Sequence, residues 1–189
     1  MTKAALRTIY KDKRKDLSDS DRMKLDDLVL IQFQRLQVQD VQSLLSYWPI
    51  PTHHEVNTLP LTDFVRFRTP GLTLAYPRTI YEEVSMEAII VDDDTEYVTT
   101  PYGITEPAGG QLISPEELDM VFVPMLAYDE RGYRVGYGKG FYDRFLKRCK
   151  DDVIKIGFSY FAPEPLISDV NDFDIPLNFA ITPERIYEF

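Results

Sequence analysis

Arg134-Val-Gly-Tyr-Gly-Lys-Gly-Phe-Tyr-Asp143 carries three glycines, a lysine, three aromatic rings and a carboxylate in ten residues. An apolar run, Met120-Val-Phe-Val-Pro-Met-Leu-Ala127, comes shortly before it, and a helix-like run, Phe141 to Lys147, follows at once. Strand, glycine-rich loop and helix in that order can turn backbone N–H groups toward a phosphate. Gly136, Gly138 and Gly140 lack a Cβ, so the chain there can approach a ligand closely. Lys139 adds a mobile ammonium, and the following helix start carries about half a positive charge. The spacing is neither the P-loop motif nor the dinucleotide fingerprint. From the residues alone, the loop is either a phosphate cradle or a turn that joins strand to helix. Asp143 is likewise either a partner of the helix dipole or an oxygen ligand for Mg²⁺.

The rest of the chain alternates strand and helix patterns. Helical spacing predicts a first helix over Lys3 to Asp16, strongly basic, with Leu6, Ile9 and Tyr10 on one face. Ser18 is a good N-cap for a second helix, with Asp19 and Asp21 in its first turn, reaching about Leu36. A further helix is expected over Thr58 to Phe67. Expected strands cover Val41 to Trp48, Leu72 to Tyr76 (ending at Pro77-Arg78), Met86 to Val91, Met120 to Val123, Ile154 to Tyr160 and Phe179 to Thr182. Ile186 to Phe189 reads as a short edge segment. Pro115-Glu-Glu suits the first turn of a short helix, while Pro101 to Gly110 and Phe161 to Pro176 read as loops. This alternation predicts an α/β sandwich, one domain over residues 1–189, with a mainly parallel central sheet flanked by helices on both faces.

Composition narrows the function. The 189 residues suffice for one substantial core. A net charge of -10 argues against a broad nucleic-acid surface. No apolar run reaches the ~18 residues of a membrane span, and the N-terminus lacks the apolar block of a signal peptide. One cysteine, Cys149, cannot form an internal disulfide, and two histidines make a His/Cys metal cage improbable. A soluble cytoplasmic protein acting as a monomer, without nucleic-acid or membrane partners, is the expectation.

Val123-Pro-Met-Leu-Ala-Tyr-Asp129 followed by Gly132-Tyr-Arg-Val-Gly-Tyr-Gly-Lys-Gly-Phe-Tyr-Asp143 resembles the signature of the 5-formyltetrahydrofolate cyclo-ligase (methenyltetrahydrofolate synthetase) family. Lys3-Ala-Ala-Leu-Arg7, Arg14-Lys-Asp-Leu-Ser18, Glu55-Val-Asn-Thr58, Tyr76-Pro-Arg78, Gly103-Ile-Thr-Glu-Pro107, Asp174 and Thr182-Pro-Glu184 resemble further family elements in the same order. The resemblance implies ATP- and Mg²⁺-dependent conversion of 5-formyltetrahydrofolate, with or without a polyglutamate tail, to 5,10-methenyltetrahydrofolate. It implies ATP contacts from Lys3, Arg7, Arg78 and the run Arg134, Val135, Gly136, Tyr137, Gly138, Lys139, Gly140, Phe141 and Tyr142. Lys139 and Arg134 are the implied catalytic groups, with Lys139 on the γ-phosphate. Glu55 and the stretch Tyr137 to Phe141 are implied at the folate, and Asp143 and Asp174 at the metal. Tyr137 departs from an arginine found in some members, Phe141 from a common tyrosine, and Asn178 from a frequent aspartate. Trp48, Tyr47 and Tyr102 are either core or stacking residues. A non-catalytic folate carrier and a sugar-phosphate isomerase or transferase on a related scaffold are the competing readings.

Overall fold

The computed structural model describes residues 1–38 and 40–189. Its helices are α1 (Lys3–Lys15), α2 (Asp19–Arg35), α3 (Leu59–Arg68) and α4 (Phe141–Leu146). Its strands are β1 (Ser43–Leu45), β2 (Thr73–Ile80), β3 (Ser85–Ile90), β4 (Tyr97–Thr99), β5 (Thr105–Pro107), β6 (Leu112–Ile113), β7 (Met120–Val123), β8 (Ala127–Tyr128), β9 (Arg134–Val135), β10 (Ile154–Phe158), β11 (Phe179–Ile181) and β12 (Ile186–Glu188). One eight-stranded sheet runs β12-β11-β10-β7-β1-β2-β3-β6. Its five central strands are parallel, while β12, β3 and β6 pair antiparallel toward the two edges. The expected architecture, a mainly parallel sheet between helical layers, is what forms.

Side chains of the central strands alternate between two buried layers, as the pleat requires. Leu44, Leu74, Phe122, Ile156 and Phe158 face α2 and α3, meeting Val29, Phe33, Leu61 and Val65. Leu45, Ala75, Val121, Val123 and Ala180 face the other way, toward Phe145 and Leu146 of α4. Phe33, Phe122 and Phe158 pack edge-to-face, with centroids 4.9–5.6 Å apart. Each such fully buried side chain contributes about 1.5–3 kcal/mol by leaving water. Ser18 caps α2, its side chain accepting from the Asp21 N–H at 3.1 Å. α1 is a separate layer: Leu6 and Tyr10 pack on Leu126, Ala127 and Val135 of the small β8–β9 hairpin.

Three expectations are corrected. β2 does not stop at Pro77 but continues to Ile80. β1 is in register with Thr73–Ala75 only, and from Tyr76 onward β2 pairs with β3 alone in this sheet. A proline, which lacks the ladder N–H, is tolerated where one side of the strand has no neighbour. The segment 101–110 is not all loop, because Thr105–Pro107 pairs with Tyr97–Thr99. The strand that feeds the glycine loop is β9, the second arm of a hairpin, not β7 directly. The buried Asp129 carboxylate closes that hairpin by accepting from the N–H groups of Arg131 and Tyr133, both at 3.1 Å.

Candidate functional site

β1 has β2 on one side and β7 on the other, so the order of parallel strands reverses direction there. At such a switch point the loops leaving the carboxyl ends of adjacent strands diverge and leave a crevice. A cavity of about 690 Å³ opens there, lined by Tyr47 and Trp48 just after β1 and by Pro124 just after β7. The glycine loop crosses it from Gly136 to Gly140, and α1 presents Lys3 and Arg7 from one side.

The loop conformation explains two of its glycines. Gly138 (φ +96°) and Gly140 (φ +76°, the N-cap of α4) are left-handed. A Cβ on Gly138 would also stand 3.3 Å from the Arg7 Cζ. That close approach seats Arg7, whose Nε donates to the Gly136 carbonyl at 2.9 Å. Lys139 is exposed and, among the described residues, makes no ion pair. A free ammonium at the mouth of a cavity is available to an anionic ligand.

Behind the loop lies a charge lattice. The Lys3 Nζ meets Asp174 at 2.5 Å, and Arg134 meets Asp143 at 3.0 Å. Arg134 also donates to the Ile175 carbonyl at 2.6 Å, while the Ile175 N–H donates to Asp143 at 3.1 Å. Arg134 and Asp143 are thereby locked to the backbone next to Asp174. Burial pushes the Arg134 guanidinium below its ordinary range, and Asp143 opposes that shift. Asp143 and Asp174 line the same cavity and offer hard oxygen donors, which suit Mg²⁺ when phosphate oxygens supply further ligands. Among the described residues no group of three or more His, Cys, Asp or Glu could hold a metal by itself, so the pair fits a metal that arrives with a phosphate.

Glu55 forms the other end. It is 9% exposed, accepts from the Tyr137 hydroxyl at 2.5 Å and from the Ile50 N–H at 2.7 Å. Burial raises its pKa; the Ile50 and Tyr137 hydrogen bonds and the Arg14 charge oppose the rise. The Tyr137 ring stacks on His53 with centroids 4.7 Å apart, and its hydroxyl accepts from the Arg14 Nη1 at 3.2 Å. Burial, then Lys11 and Arg14, lower the His53 pKa, so this ring favours its neutral form.

The structure brings Lys3, Arg7, Glu55, Arg134, Gly136, Tyr137, Gly138, Lys139, Gly140, Phe141, Tyr142, Asp143 and Asp174 around one cavity. It does not bring Arg78 or Val135 to the cavity wall. Pro77 and Thr79 line it, so the alternation of β2 turns Arg78 to the opposite face, where it pairs with Glu87 at 2.7 Å. Val135 is fully buried in the α1 layer. Asn178 is also remote, its side chain accepting from the Lys155 N–H beside β10. Trp48, Tyr47 and Tyr102 all line the cavity. Arg14 was legible only as one more basic residue of α1. It is 2% exposed and donates to the Met125 carbonyl at 2.5 Å. Its spacing from Leu6 and Tyr10, four residues per step, was the available signal for a buried position.

Switch-point cavity, glycine loop and paired basic and acidic groups define a class: an α/β protein whose pocket offers groups that suit an anion. A model of the 5-formyltetrahydrofolate cyclo-ligase family matches residues 1–176, and the chain belongs to that family. It is 28% identical over 190 residues to the 5-formyltetrahydrofolate cyclo-ligase of Mycoplasma pneumoniae, covering 97% of this chain and 100% of the relative. It is 26% identical over 179 residues to that of Mycoplasma genitalium, covering 93% and 95%. The NMR structure of Aquifex aeolicus 5,10-methenyltetrahydrofolate synthetase superposes with a TM-score of 0.80 at 31% identity, covering 100% of this chain and 93% of that one.

Proposed function

We propose that this protein cyclises 5-formyltetrahydrofolate to 5,10-methenyltetrahydrofolate, consuming ATP with Mg²⁺ and releasing ADP and phosphate. The observation that carries this reading is one cavity holding free Lys139, the Lys3–Asp174 and Arg134–Asp143 pairs, and the buried Glu55. A poor electrophile must be activated. The formamide oxygen attacks the γ-phosphorus and the bond to ADP breaks, leaving an imidate-like phosphate. N10 then attacks the activated carbon, the carbon–oxygen bond breaks, phosphate departs and N10 loses its proton. Both reacting atoms belong to one bound molecule, so proximity supplies much of the acceleration.

The chain's own groups have separable tasks in this reading. Lys139 meets the γ-phosphate, and Lys3 and Arg7 meet the other phosphates with the loop N–H groups. Arg134 holds Asp143 in place. Asp143 and Asp174 would hold Mg²⁺, which neutralises charge on the phosphoryl oxygens when bound. Glu55 accepts from pterin N–H donors, its carboxylate aimed by Tyr137 and Ile50. Phe141, Tyr142 and Trp48 provide apolar walls. In this reading residues 1–189 act as one domain and as a monomer. Among the described residues no helix is long and apolar enough to cross a membrane.

The test is absorbance of the methenyl product. Signal is expected only with ATP, Mg²⁺ and 5-formyltetrahydrofolate together, and its absence with folded protein refutes the reading. Lys139→Ala is expected to lower turnover by about 10²–10³, the usual loss for one well-placed electrostatic group. Near-normal turnover removes Lys139 from that role.

A further inference from the structure

Four carboxylates line the cavity, and three are accounted for. Asp143 and Asp174 each meet a cation, and both Glu55 oxygens accept hydrogen bonds. Glu106 on β5 differs. It is 4% exposed, and among the described residues it has no cationic partner. Its Oε1 accepts from the Thr79 N–H at 3.2 Å and the Thr79 hydroxyl at 2.5 Å. Its Oε2 has no partner among the described residues. That oxygen is not closed off with its neighbours, so it offers the cavity an unused acceptor.

The surroundings indicate which ligand chemistry suits that acceptor. Thr79 is held in β2 and Glu106 in β5, so the carboxylate is fixed by two strands rather than by a mobile loop. Tyr81 and Tyr142 line the same cavity, and the Tyr142 hydroxyl is buried without a partner. Burial pushes both phenols up, and the Glu106 charge adds to each shift. Tyr81 packs against Tyr102 and Phe141, with centroids 4.7 and 5.9 Å away. An acceptor with an unused oxygen, the unpaired Tyr142 hydroxyl and a wall of rings suit a flat or ringed ligand that carries N–H or O–H donors.

We propose that Glu106 is a ligand-binding residue whose Oε2 accepts from an N–H or O–H donor of a substrate, with Thr79 as the residue that positions it. The donor chemistry is shared by a pterin's ring N–H groups and a nucleotide's ribose hydroxyls. This inference rests on the proposed substrates, and calorimetry separates its failure from theirs. Binding of 5-formyltetrahydrofolate and of ATP is measured singly to wild type and to Glu106→Gln, which keeps size and removes charge. The expected result is an affinity about ten- to hundredfold lower for one ligand, the range for a lost charge-assisted hydrogen bond, with the other unchanged. Loss confined to 5-formyltetrahydrofolate places the donor on the pterin. Loss confined to ATP, and reduced when 2′-deoxy- or 3′-deoxy-ATP is the probe, places it on the ribose.

If the wild-type protein binds both ligands yet forms no methenyl product, the proposed reaction fails while the Glu106 assignment is still decided by the affinities. Thr79→Val is the second variant, should Glu106→Gln not fold. It leaves the charge but removes one of the two bonds that aim it, and a loss of about three- to tenfold for the same single ligand is expected. Affinities within twofold of wild type for both ligands, or equal losses for both together with a lower melting temperature, overturn the proposal.

Discussion

Alanine substitutions at the three glycines of the loop separate backbone strain from ligand space, and they have distinct expected outcomes. Gly140 has φ +76° and no atom within 4 Å of an added Cβ. Gly140→Ala therefore carries only the left-handed penalty of an L-residue, about 1–2 kcal/mol. For a chain of this length each kcal/mol moves the melting temperature by about 2–4 °C, so a fall of roughly 2–8 °C is expected. Gly138 has φ +96°, and its Cβ would stand 3.3 Å from Arg7 Cζ and 3.4 Å from Arg7 Nε. Arg7 must shift, and its bond to the Gly136 carbonyl is weakened with it. A charge-assisted hydrogen bond is worth about 1.5–3 kcal/mol, so Gly138→Ala is expected to lose more stability than Gly140→Ala. Gly136 is not left-handed and has open space around an added Cβ. Gly136→Ala is expected to hold or gain stability, by up to about 1 kcal/mol through a less flexible unfolded chain. Its methyl group enters the proposed phosphate space, however, so turnover should fall. Thermal unfolding by far-ultraviolet circular dichroism without ligands gives the stability order, and methenyl formation gives activity. Gly136→Ala as destabilising as Gly138→Ala would refute this account of the loop, as would Gly138→Ala melting with wild type.

Three other outcomes are expected. Burial raises the Glu55 pKa, so the folded protein holds that proton more tightly than the unfolded chain. The contribution is full below the unfolded value, about 4.3, and is lost as pH rises through the raised folded value. Relative to wild type, Glu55→Gln should therefore melt more favourably at pH 7 than at pH 4, and a difference that shrinks or reverses with rising pH counts against a buried charge there. An added Cβ at Gly157 would stand 2.7 Å from Met125 Cε and 2.8 Å from Leu177 Cδ1. Overpacking of this kind costs about 1–3 kcal/mol, and a Gly157→Ala protein that melts within 1 °C of wild type, by any order-of-magnitude conversion of that cost, would show that the core yields there. Burial raises the Cys149 thiol to about 11, so thiol-reactive dye at pH 8 should label native protein at least about tenfold more slowly than urea-unfolded protein. Equal rates would place Cys149 at the surface.

Much of the fold was legible because burial writes itself into the sequence. Met120–Val123, buried on both faces, is a continuous apolar run with the observed strand limits. α2 is announced by its Ser18 cap and acidic first turn. What escaped notice was set by neighbours rather than by composition. Pro77 reads as a stop signal, yet it lies in β2 because β1 has ended beside it. Thr105–Pro107 is too short and too polar to stand out, and it is a strand because Tyr97–Thr99 pairs with it.

These two errors of strand reading also explain the uneven view of the site. The loop, Lys3 and Arg7 can be grouped from sequence because glycine spacing and one helical turn are local properties. A strand that ends at Tyr76 leaves the direction of the Arg78 side chain open. Once the strand is extended through Pro77, the period of two sends Arg78 to Glu87 and turns Pro77 and Thr79 to the cavity. Thr79 then meets Glu106, whose motif reads as loop and gives no sign of that pairing. Glu55 and Asp174 stand out only through the family resemblance, not through local spacing. Their positions depend on a hydrogen bond spanning 82 residues to Tyr137 and on an ion pair spanning 171 residues to Lys3. A phosphate loop is therefore written over ten consecutive residues, whereas the carboxylates that surround it are defined only when the parallel sheet brings its loops to one crevice.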